Sequence, residues 1–468
     1  MPSWQVRSLT DKFEKLEDFV FRKMSETNLP GLSIAAIEDG DLIYARGFGF
    51  KDLSNGFSAT PETLYCIGSV TKSFTCLAIM QLQEKGALSV EDPIEEYVPL
   101  KIRPKGEPIK IWHLMSHTSG IPALAYAEAV IRQATKASEK WLPISSYQDM
   151  LTFMADADKW VHSKPGERWF YLNEGYILLG YIIEKVSGEE YADYVKRHIL
   201  EPLGMKRSYF HKEEVEKDPD VAVPYIVAKN GERIPSTYPF GAILSDGGLI
   251  SSVVDMAKYV KMFINYGESD GERIASEYSI KEMMTPRIRL PHEPFISKGV
   301  RYYGYGLGIR PDFFGYNLIG HGGSVLVSTA YMGFIPEKGI GVVILANGSG
   351  YPLSYIGEYT LALLLGKDPM ELPVVRYGEV LDELAGVYET YKGTMRVTVT
   401  KRGSLLQIER KDKYTEFTMP LIPVDIEGKV KVFHAISMDM KVPTEFIKED
   451  EDLFLIYERY KLKKVGKI

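Results

Sequence analysis

The N-terminal part of the chain combines an amphipathic helix with a hairpin. Residues 9–24 carry apolar side chains at helical spacing, at Phe13, Leu16, Phe19 and Val20, which predicts a helix with one buried face. Two extended apolar runs follow, at residues 32–37 and 42–49. Asp39-Gly40 lies between them and is typical of a tight turn. The pattern therefore predicts an antiparallel strand pair behind the helix.

The middle of the chain is mainly helical, and the part after residue 300 is mainly extended. Helical patterns cover residues 69–85, 191–203 and 253–265. Strand patterns with glycine-rich turns cover residues 305–310, 316–320, 329–335 and 340–346, before a helix at residues 354–365. Strands from both ends around a helical middle predict an α/β (α+β) fold, with one antiparallel sheet flanked by helices and an all-helical region. We expect the active cleft between the sheet and the helical region.

The C-terminal hundred residues have a different texture. Residues 366–373 have the composition of a linker. From Gly386 to Lys461 there are about eight short β-type runs, which predict a small antiparallel barrel. A chain of 468 residues also exceeds what one hydrophobic core usually holds. We therefore predict two domains, residues 1–368 and 369–468.

Composition excludes several classes of function. Hydrophobic residues at 45% and charged residues at 25% are ordinary for a soluble globular protein. The net charge of −7 and the lack of long runs of like charge argue against a nucleic-acid partner or a polybasic membrane anchor. Residues 1–10 lack the pattern of a signal peptide, and no uninterrupted apolar stretch is long enough to span a membrane. We expect a cytoplasmic protein.

The two cysteines, Cys66 and Cys76, are too few for a disulfide framework or a zinc site, so we expect packed core thiols and no metal. Glutamine is scarce, whereas Lys, Glu, Ile and Tyr are plentiful. This balance favours a thermophilic source.

The first candidate for chemistry is Ser69-Val70-Thr71-Lys72, which follows Gly68 at a predicted helix start. A spacing of three residues places the hydroxyl and the amine on one helical face. A serine hydroxyl needs a base to become a nucleophile, and a lysine serves as that base in its neutral form. Burial and the positive end of the helix dipole both favour the neutral amine. Ser-x-x-Lys alone is a common pattern.

Two further motifs complete the set. Tyr171-Leu172-Asn173 precedes an apolar helical run; its phenol can share in proton transfer, and its amide can orient a lysine or a substrate carbonyl. Gly320-His321-Gly322-Gly323-Ser324 enters a predicted strand. Consecutive glycines there let a substrate backbone lie close to the strand edge and leave a backbone N–H for an oxyanion hole. Taken alone, each is more often a helix start or a turn.

Together these motifs resemble the serine β-lactamase and penicillin-binding protein superfamily, in its Tyr-x-Asn branch. Residues 113–122 and 245–252 also look like segments of that branch, which holds class C β-lactamases, D-alanyl-D-alanine carboxypeptidases, D-aminopeptidases and family VIII esterases. The resemblance covers about residues 10–365. With the trailing lipocalin-like barrel, the whole chain is similar to archaeal self-compartmentalising peptidases of the CubicO type. That similarity implies a homo-oligomer, as a closed assembly with internal active sites.

The resemblance also implies roles for individual residues. Ser69 is the acylated nucleophile, and Lys72 and Tyr171 are the general base and acid. Asn173 orients the substrate, and His321 occupies the Lys/His-x-Gly position together with Gly322 and Gly323. The N–H groups of Ser69 and Ser324 form the oxyanion hole, and no cofactor is required. His113 and His117 belong to a recurrent segment without a catalytic part, so we interpret them as structural.

His321 narrows the substrate class. β-Lactamases and carboxypeptidases generally have a charged lysine there, whereas a histidine with a pKa near 6.5 is mostly neutral at pH 7. Penicillins therefore fit poorly, and we favour a serine peptidase acting on short peptides, including peptides with D-residues. An esterase of short acyl esters is the alternative, ahead of a β-lactamase or a D-alanyl-D-alanine carboxypeptidase. A non-catalytic binding protein is a third class of hypothesis.

Overall fold

The computed structural model describes residues 11–138, 142–241, 244–292, 296, 299–349, 353–411, 413–414 and 416–467. The chain divides into two compact units, Met1–Lys367 and Asp368–Ile468. The first unit combines helices with an antiparallel sheet, and the second is a closed β-barrel.

The strands of the first unit come from both ends of its sequence. They are β1 Gly31–Glu38, β2 Asp41–Asp52, β3 Phe57–Ser58, β4 Tyr65–Cys66, β5 Tyr225–Val227, β6 Arg233–Pro235, β7 Ile250–Ser251, β8 Glu268–Ser269, β9 Glu272–Arg273, β10 Ile288–Arg289, β11 Tyr302–Tyr303, β12 Gly308–Phe313, β13 Tyr316–Ser324, β14 Thr329–Ile335 and β15 Ile340–Ala346. Among the described residues, the main sheet has nine strands in the order β10-β11-β12-β13-β14-β15-β1-β2-β3. Within the described residues, neighbouring strands of this sheet pair antiparallel, as the sequence predicts.

The helices of the first unit lie mostly between the two groups of strands. They are α1 Asp11–Thr27, α2 Thr71–Glu84, α3 Ile111–Met115, α4 Tyr126–Ala134, α5 Tyr147–Met154, α6 Asn173–Ser187, α7 Tyr191–Val195, α8 Lys212–Val215, α9 Val253–Ile264, α10 Glu277–Met283 and α11 Ser354–Leu364. Helix α7 continues as a π-helical turn over Lys196–Leu200. Helix α9 packs on β1 and β15, and α11 packs on β14 and β15.

Burial on both faces explains why the central strands of the sheet have continuous apolar sequences. Every residue of β15 and all but the last residue of β1 are buried, as expected for strands covered on both faces. Strands β1 and β2 join through Asp39 and Gly40, whose φ angles of 52° and 76° are those of a tight hairpin turn. The predicted hairpin is confirmed.

Helix α2 lies at the centre of the helical region. It packs against α6, α7 and α10, and all its residues from Thr71 to Leu82 are buried. Its hydrophobic pattern is therefore nearly uniform around the helix, which is typical of a helix inside a core. The N-terminal end of α2 is anchored beside β13, and this placement brings the helical region and the sheet together at one cleft.

Several boundaries differ from the sequence prediction, and turns explain two of the differences. The helix expected from Ser69 begins at Thr71, because Gly68–Val70 forms a 3₁₀ turn in front of it. The strand expected at 305–310 begins at Gly308, because Gly304 N–H donates to the Leu307 carbonyl at 2.8 Å and closes a turn. Hydrophobic patterning does not distinguish these turns from the elements that they precede.

The second unit begins with a helix that the sequence reading missed, α12 Pro373–Leu384, which has a proline in its first turn. The described residues then form eight antiparallel strands: β16 Gly386–Glu389, β17 Arg396–Arg402, β18 Leu405–Lys411, β19 Glu416–Asp425, β20 Val430–Ser437, β21 Met440–Glu449, β22 Asp452–Tyr457 and β23 Tyr460–Gly466. Strand β23 pairs with β16, so the barrel is closed. The predicted C-terminal antiparallel barrel is confirmed.

Candidate active site

Ser69 and Lys72 lie where the chain enters α2. Ser69 sits in the 3₁₀ turn Gly68–Val70, and Lys72 lies one turn further on, with no exposed surface. The Lys72 side-chain nitrogen, Nζ, lies 3.1 Å from Ser69 Oγ and 2.7 Å from the backbone carbonyl oxygen of Asp246. Because the amine is held between these two oxygens, it is directed at the serine hydroxyl.

Strand β13 lies directly against this turn. A Cβ atom on Gly323 would lie 2.0 Å from the Ile67 carbonyl oxygen and 3.2 Å from Ser69 N. Gly68 has φ 51°, and a Cβ there would lie 2.8 Å from Ser324 N. Side chains at either position would force the two segments apart. The glycines therefore let the backbone at Ser69 and the backbone at Ser324 approach each other closely.

Tyr171 and Asn173 lie at the start of α6. The half-buried Tyr171 ring is centred 5.0 Å from Lys72 Nζ, and Asn173 is the first residue of the helix. Both line the same cavity as Ser69. Residues about a hundred positions apart in the sequence therefore face one another around the lysine amine.

His321 is half-buried on β13, and both of its ring nitrogens have partners. Nδ1 lies 2.6 Å from the Gly322 carbonyl oxygen. Since a carbonyl oxygen can only accept, Nδ1 carries the ring proton and donates this hydrogen bond. Nε2, 2.8 Å from the Tyr303 hydroxyl, then accepts the phenolic proton. Burial and the charge of Lys72 lower the pKa of His321 from 6.5 to about 4. The imidazole is therefore neutral at pH 7.

A cavity of about 460 Å³ joins these residues. Its lining contains Ser69, Ala127, Glu128, Ile131, Arg132, Tyr171, Asn173, Asp246, Gly247, His321, Gly322, Ser324, Val325 and Leu326. A second cavity, of about 330 Å³, shares Tyr171 with the first and has Trp169, Ile288 and His292 in its mainly apolar wall. Tyr171 thus lies between two spaces of amino-acid size.

The sequence did not indicate Asp246 as a member of this site, although Asp246 belongs to the family-like segment 245–252. The Asp246 side chain is 3% exposed, and its Oδ1 has no hydrogen-bond partner among the described residues. Burial raises the pKa of this carboxyl from 3.8 to about 7, while the Lys72 charge acts in the opposite direction. Glu174 and Glu128 add to the increase.

The loop that carries Asp246 is held by the first turns of α2. Thr75 Oγ1 donates to the Ser245 carbonyl at 2.6 Å, and Leu249 N–H donates to Thr71 Oγ1 at 3.3 Å. These bonds place the Asp246 carbonyl in front of Lys72. No local periodicity signals the contact, because the loop and the helix are far apart in the sequence.

Helix α4 contributes two charged residues that sequence reasoning also missed. Glu128 and Arg132 are exposed and line the main cavity. They are four residues apart and therefore lie on one face of the helix. The lining of the cavity thus includes one acidic and one basic side chain.

The cysteines lie beside the site as core residues. Cys66 and Cys76 are free and buried. Burial raises the pKa of both thiols to about 12, so neither is a thiolate at pH 7.

A serine, a lysine and a tyrosine around one cleft, between a helix entrance and a sheet edge, define a serine-hydrolase type of site. The chain belongs to the β-lactamase family, which it matches over residues 16–367. Family members are serine hydrolases. Residues 369–463 match the Pab87 octamerisation domain.

Individual relatives agree with this assignment. Protein flp of Staphylococcus aureus (strain MW2) is 27% identical over 355 residues, which are 73% of this chain and 64% of that protein. The putative penicillin-binding protein PbpX of Bacillus subtilis (strain 168) is 29% identical over 282 residues, 60% of this chain and 64% of that protein. The chain thus spans about 64% of the length of these curated relatives.

Solved structures are similar over different shares of the chain. The octameric penicillin-binding protein homologue from Pyrococcus abyssi is 49% identical, with a TM-score of 0.91 over 97% of this chain and 100% of that one. A penicillin-binding protein from Bacillus halodurans is 23% identical, with a TM-score of 0.60 over 76% of this chain and 99% of that one, and this likeness concerns the fold alone. Within the residues that the structure describes, no helix has both the length and the apolar character to cross a membrane.

Proposed function

We propose that the protein is a serine peptidase that cleaves short peptides, including peptides with D-residues, through an acyl-enzyme on Ser69. The observation that carries the proposal is the 3.1 Å contact between Lys72 Nζ and Ser69 Oγ, made by a lysine with no exposed surface. This is the arrangement of a nucleophile and its base. The roles of the individual residues are part of the proposal.

In the acylation step, Lys72 acts as the base that takes the hydroxyl proton of Ser69 while Oγ attacks the substrate carbonyl carbon. The N–H groups of Ser69 and Ser324 stabilise the negative charge that develops on the carbonyl oxygen. Tyr171, together with the protonated Lys72, supplies the proton that the leaving amine needs. Asn173 orients the substrate carbonyl from the start of α6. A water molecule then hydrolyses the ester on Ser69, activated by the same lysine and tyrosine.

The neutral state of His321 supports a peptidase over a penicillin-hydrolysing enzyme. An uncharged ring whose nitrogens are both engaged offers little attraction to a substrate carboxylate. The two cavities on either side of Tyr171 have room for residues on both sides of a scissile bond. A short acyl ester would leave one of them empty.

We also propose that residues 1–368 form a catalytic domain and that the chain assembles into a homo-oligomer through its C-terminal domain, residues 369–468. The match to the Pab87 octamerisation domain and the 49% identity to an octameric homologue support this. A closed assembly with internal active sites would admit short peptides and exclude folded proteins. Light scattering coupled to size-exclusion chromatography measures the number of subunits directly.

The test of the activity is a substrate panel. L- and D-aminoacyl amides, short peptides, p-nitrophenyl acetate and nitrocefin are compared by kcat/KM, and a fluorophosphonate probe reports the reactive serine. Preferential cleavage of peptides or aminoacyl amides supports the peptidase. Turnover of the ester alone would make the protein an esterase. Failure of the probe to label the folded protein would indicate a binding protein and overturn the proposal.

A further inference from the structure

His117 makes contacts around Tyr171 that a purely structural role, as interpreted from the sequence, does not explain. It lies just after α3, with a side chain 1% exposed and a φ angle of 59°. That left-handed conformation is uncommon for residues other than glycine, although histidine and asparagine adopt it more often than most. The surrounding structure therefore holds this residue in a defined position.

The first two contacts bracket Tyr171 along the chain. Phe170 N–H donates to the His117 carbonyl oxygen at 2.8 Å. Leu172 N–H donates to His117 Nδ1 at 3.0 Å. The residues before and after Tyr171 are thus both tied to a single residue, and the backbone of Tyr171 cannot shift without breaking one of these bonds.

The third contact is between the rings. The His117 and Tyr171 rings are 4.0 Å apart between centroids, with an interplanar angle of 32°. Tyr176 and Tyr303 lie 5.0 Å from the imidazole. Since Lys72 Nζ lies 5.0 Å from the centre of the Tyr171 ring, that ring lies close to both the imidazole and the amine.

The imidazole is neutral in this environment. Burial, as the larger cause, and the neighbouring charge of Lys72 lower the pKa of His117 well below 6.5. Because Nδ1 accepts the Leu172 N–H, the ring proton is on Nε2. The ring therefore holds Tyr171 by packing and by one accepted hydrogen bond, without titrating near neutral pH.

We infer that His117 is a positioning residue that holds the Tyr171 phenol at the Lys72 amine. The inference rests on the proposed catalytic role of Tyr171 and adds a residue to that mechanism. A purely structural histidine would support α3 and the following loop, but its loss would not act through the phenol. The two roles therefore differ in how substitutions at His117 and Tyr171 combine.

The experiment is a double-mutant cycle on the full-length protein, with His117→Ala, Tyr171→Phe and the double variant. We expect His117→Ala to lower kcat/KM for a peptide substrate by about tenfold to a hundredfold, since small displacements of reacting groups cost that much. In the Tyr171→Phe background the same change should cost less than about threefold, because the phenol is already absent. Equal losses in both backgrounds would overturn the inference.

His117→Asn is the conservative variant. An asparagine amide oxygen can accept the Leu172 N–H, and asparagine tolerates the left-handed φ. We expect it to recover about half or more of the lost activity on a logarithmic scale. If His117→Ala does not fold, His117→Asn replaces it in the double-mutant cycle. The smaller loss of kcat/KM expected for His117→Asn must then disappear in the Tyr171→Phe background. An Asn loss that persists there contradicts the inference.

His113→Ala is the matched control. His113 is a buried histidine of α3, and its Nδ1 accepts the backbone N–H of Lys110 instead of a group beside Tyr171. Its substitution should lower the melting temperature but combine additively with Tyr171→Phe. If Tyr171→Phe itself keeps wild-type kinetics, the proposed function of the phenol fails, and the inference fails with it. If Tyr171→Phe is impaired and His117→Ala is additive, only the inference fails.

Discussion

The Tyr303 hydroxyl donates a hydrogen bond to His321 Nε2, with 2.8 Å between the oxygen and the nitrogen, while His321 Nδ1–H donates a hydrogen bond to the Gly322 carbonyl oxygen. The pair keeps the imidazole in one neutral tautomer on β13. This neutrality bears on which end of a substrate the cleft can attract, and it is open to a direct test.

His321→Lys should restore a fixed positive charge beside β13. Kinetics for the carboxylate and amide forms of one peptide should then show a higher kcat/KM ratio in favour of the carboxylate, by about tenfold, since a charge-assisted hydrogen bond is roughly twice as strong as a neutral one. The gain should shrink with added salt if the cleft is open to water. His321→Gln keeps the side chain neutral and serves as the control. An unchanged ratio would place His321 away from the carboxylate side of the substrate.

Ser69→Ala should abolish turnover and fluorophosphonate labelling while leaving the melting temperature within a few degrees of wild type. The hydroxyl sits at a helix entrance and contributes little to the core. Ser73→Ala, in the same helix, removes a buried hydroxyl that donates to the Val70 carbonyl, and it should remain labelled. Residual turnover above a few per cent in Ser69→Ala would exclude this serine as the nucleophile.

Lys72→Met should slow acylation by about 10²–10⁴-fold, the usual share of a positioned base. Methionine keeps much of the buried volume and removes only the amine. The rate of fluorophosphonate labelling measures this step without the need for a good peptide substrate. Lys85→Met, at the C-terminal cap of α2, is the control and should label at the wild-type rate. Comparable labelling of both variants would require another base.

Tyr171→Phe should slow acylation of a peptide by a factor comparable to that for Lys72, because the hydroxyl that supplies a proton to the leaving amine is lost. The effect should be smaller for an ester with a good leaving group, which departs without protonation. Comparing the two substrates across pH 5–10 provides the measurement. Wild-type kinetics on the peptide would show that the phenol is structural and that the Tyr-x-Asn assignment is wrong.

Asp246→Asn should change how stability depends on pH. Since the folded-state pKa is about 7 and the ordinary value is 3.8, the folded protein binds a proton that the unfolded chain releases in this interval. Stability therefore falls as pH rises from about 4 to about 7. The amide does not titrate, so the variant should gain stability relative to wild type over the same interval and show a constant difference above it.

Urea unfolding at several pH values measures this difference, and Asp255→Asn provides the comparison. Asp255 is 4% exposed, but its carboxylate accepts the backbone N–H of Arg207 and pairs with Lys258. Its substitution should destabilise the protein, because a carboxyl group that is bonded to Arg207 and Lys258 is lost. A pH-independent difference for Asp246→Asn would mean that this carboxyl is ionised throughout.

Features with local causes could be predicted from the amino-acid sequence. A three-residue spacing is enough to place Ser69 and Lys72 on one face, and Asp39-Gly40 is enough to turn β1 into β2. Alternating short runs were enough to predict the C-terminal barrel. In each case the relevant contacts lie within a few residues or repeat along the chain, so the pattern carries them.

The identity of the distant groups that surround those residues depends on the three-dimensional fold and could not be predicted from the sequence. Asp246 contacts Lys72 although the two residues are 174 positions apart in the sequence. His117 makes the two hydrogen bonds on either side of Tyr171, and one of them joins it to Leu172, 55 positions later. Burial and neighbouring charge, and with them the pKa of Asp246 and the neutral state of His321, follow from those long-range contacts. Periodicity reports the face that a residue presents, but not the atoms that it meets there.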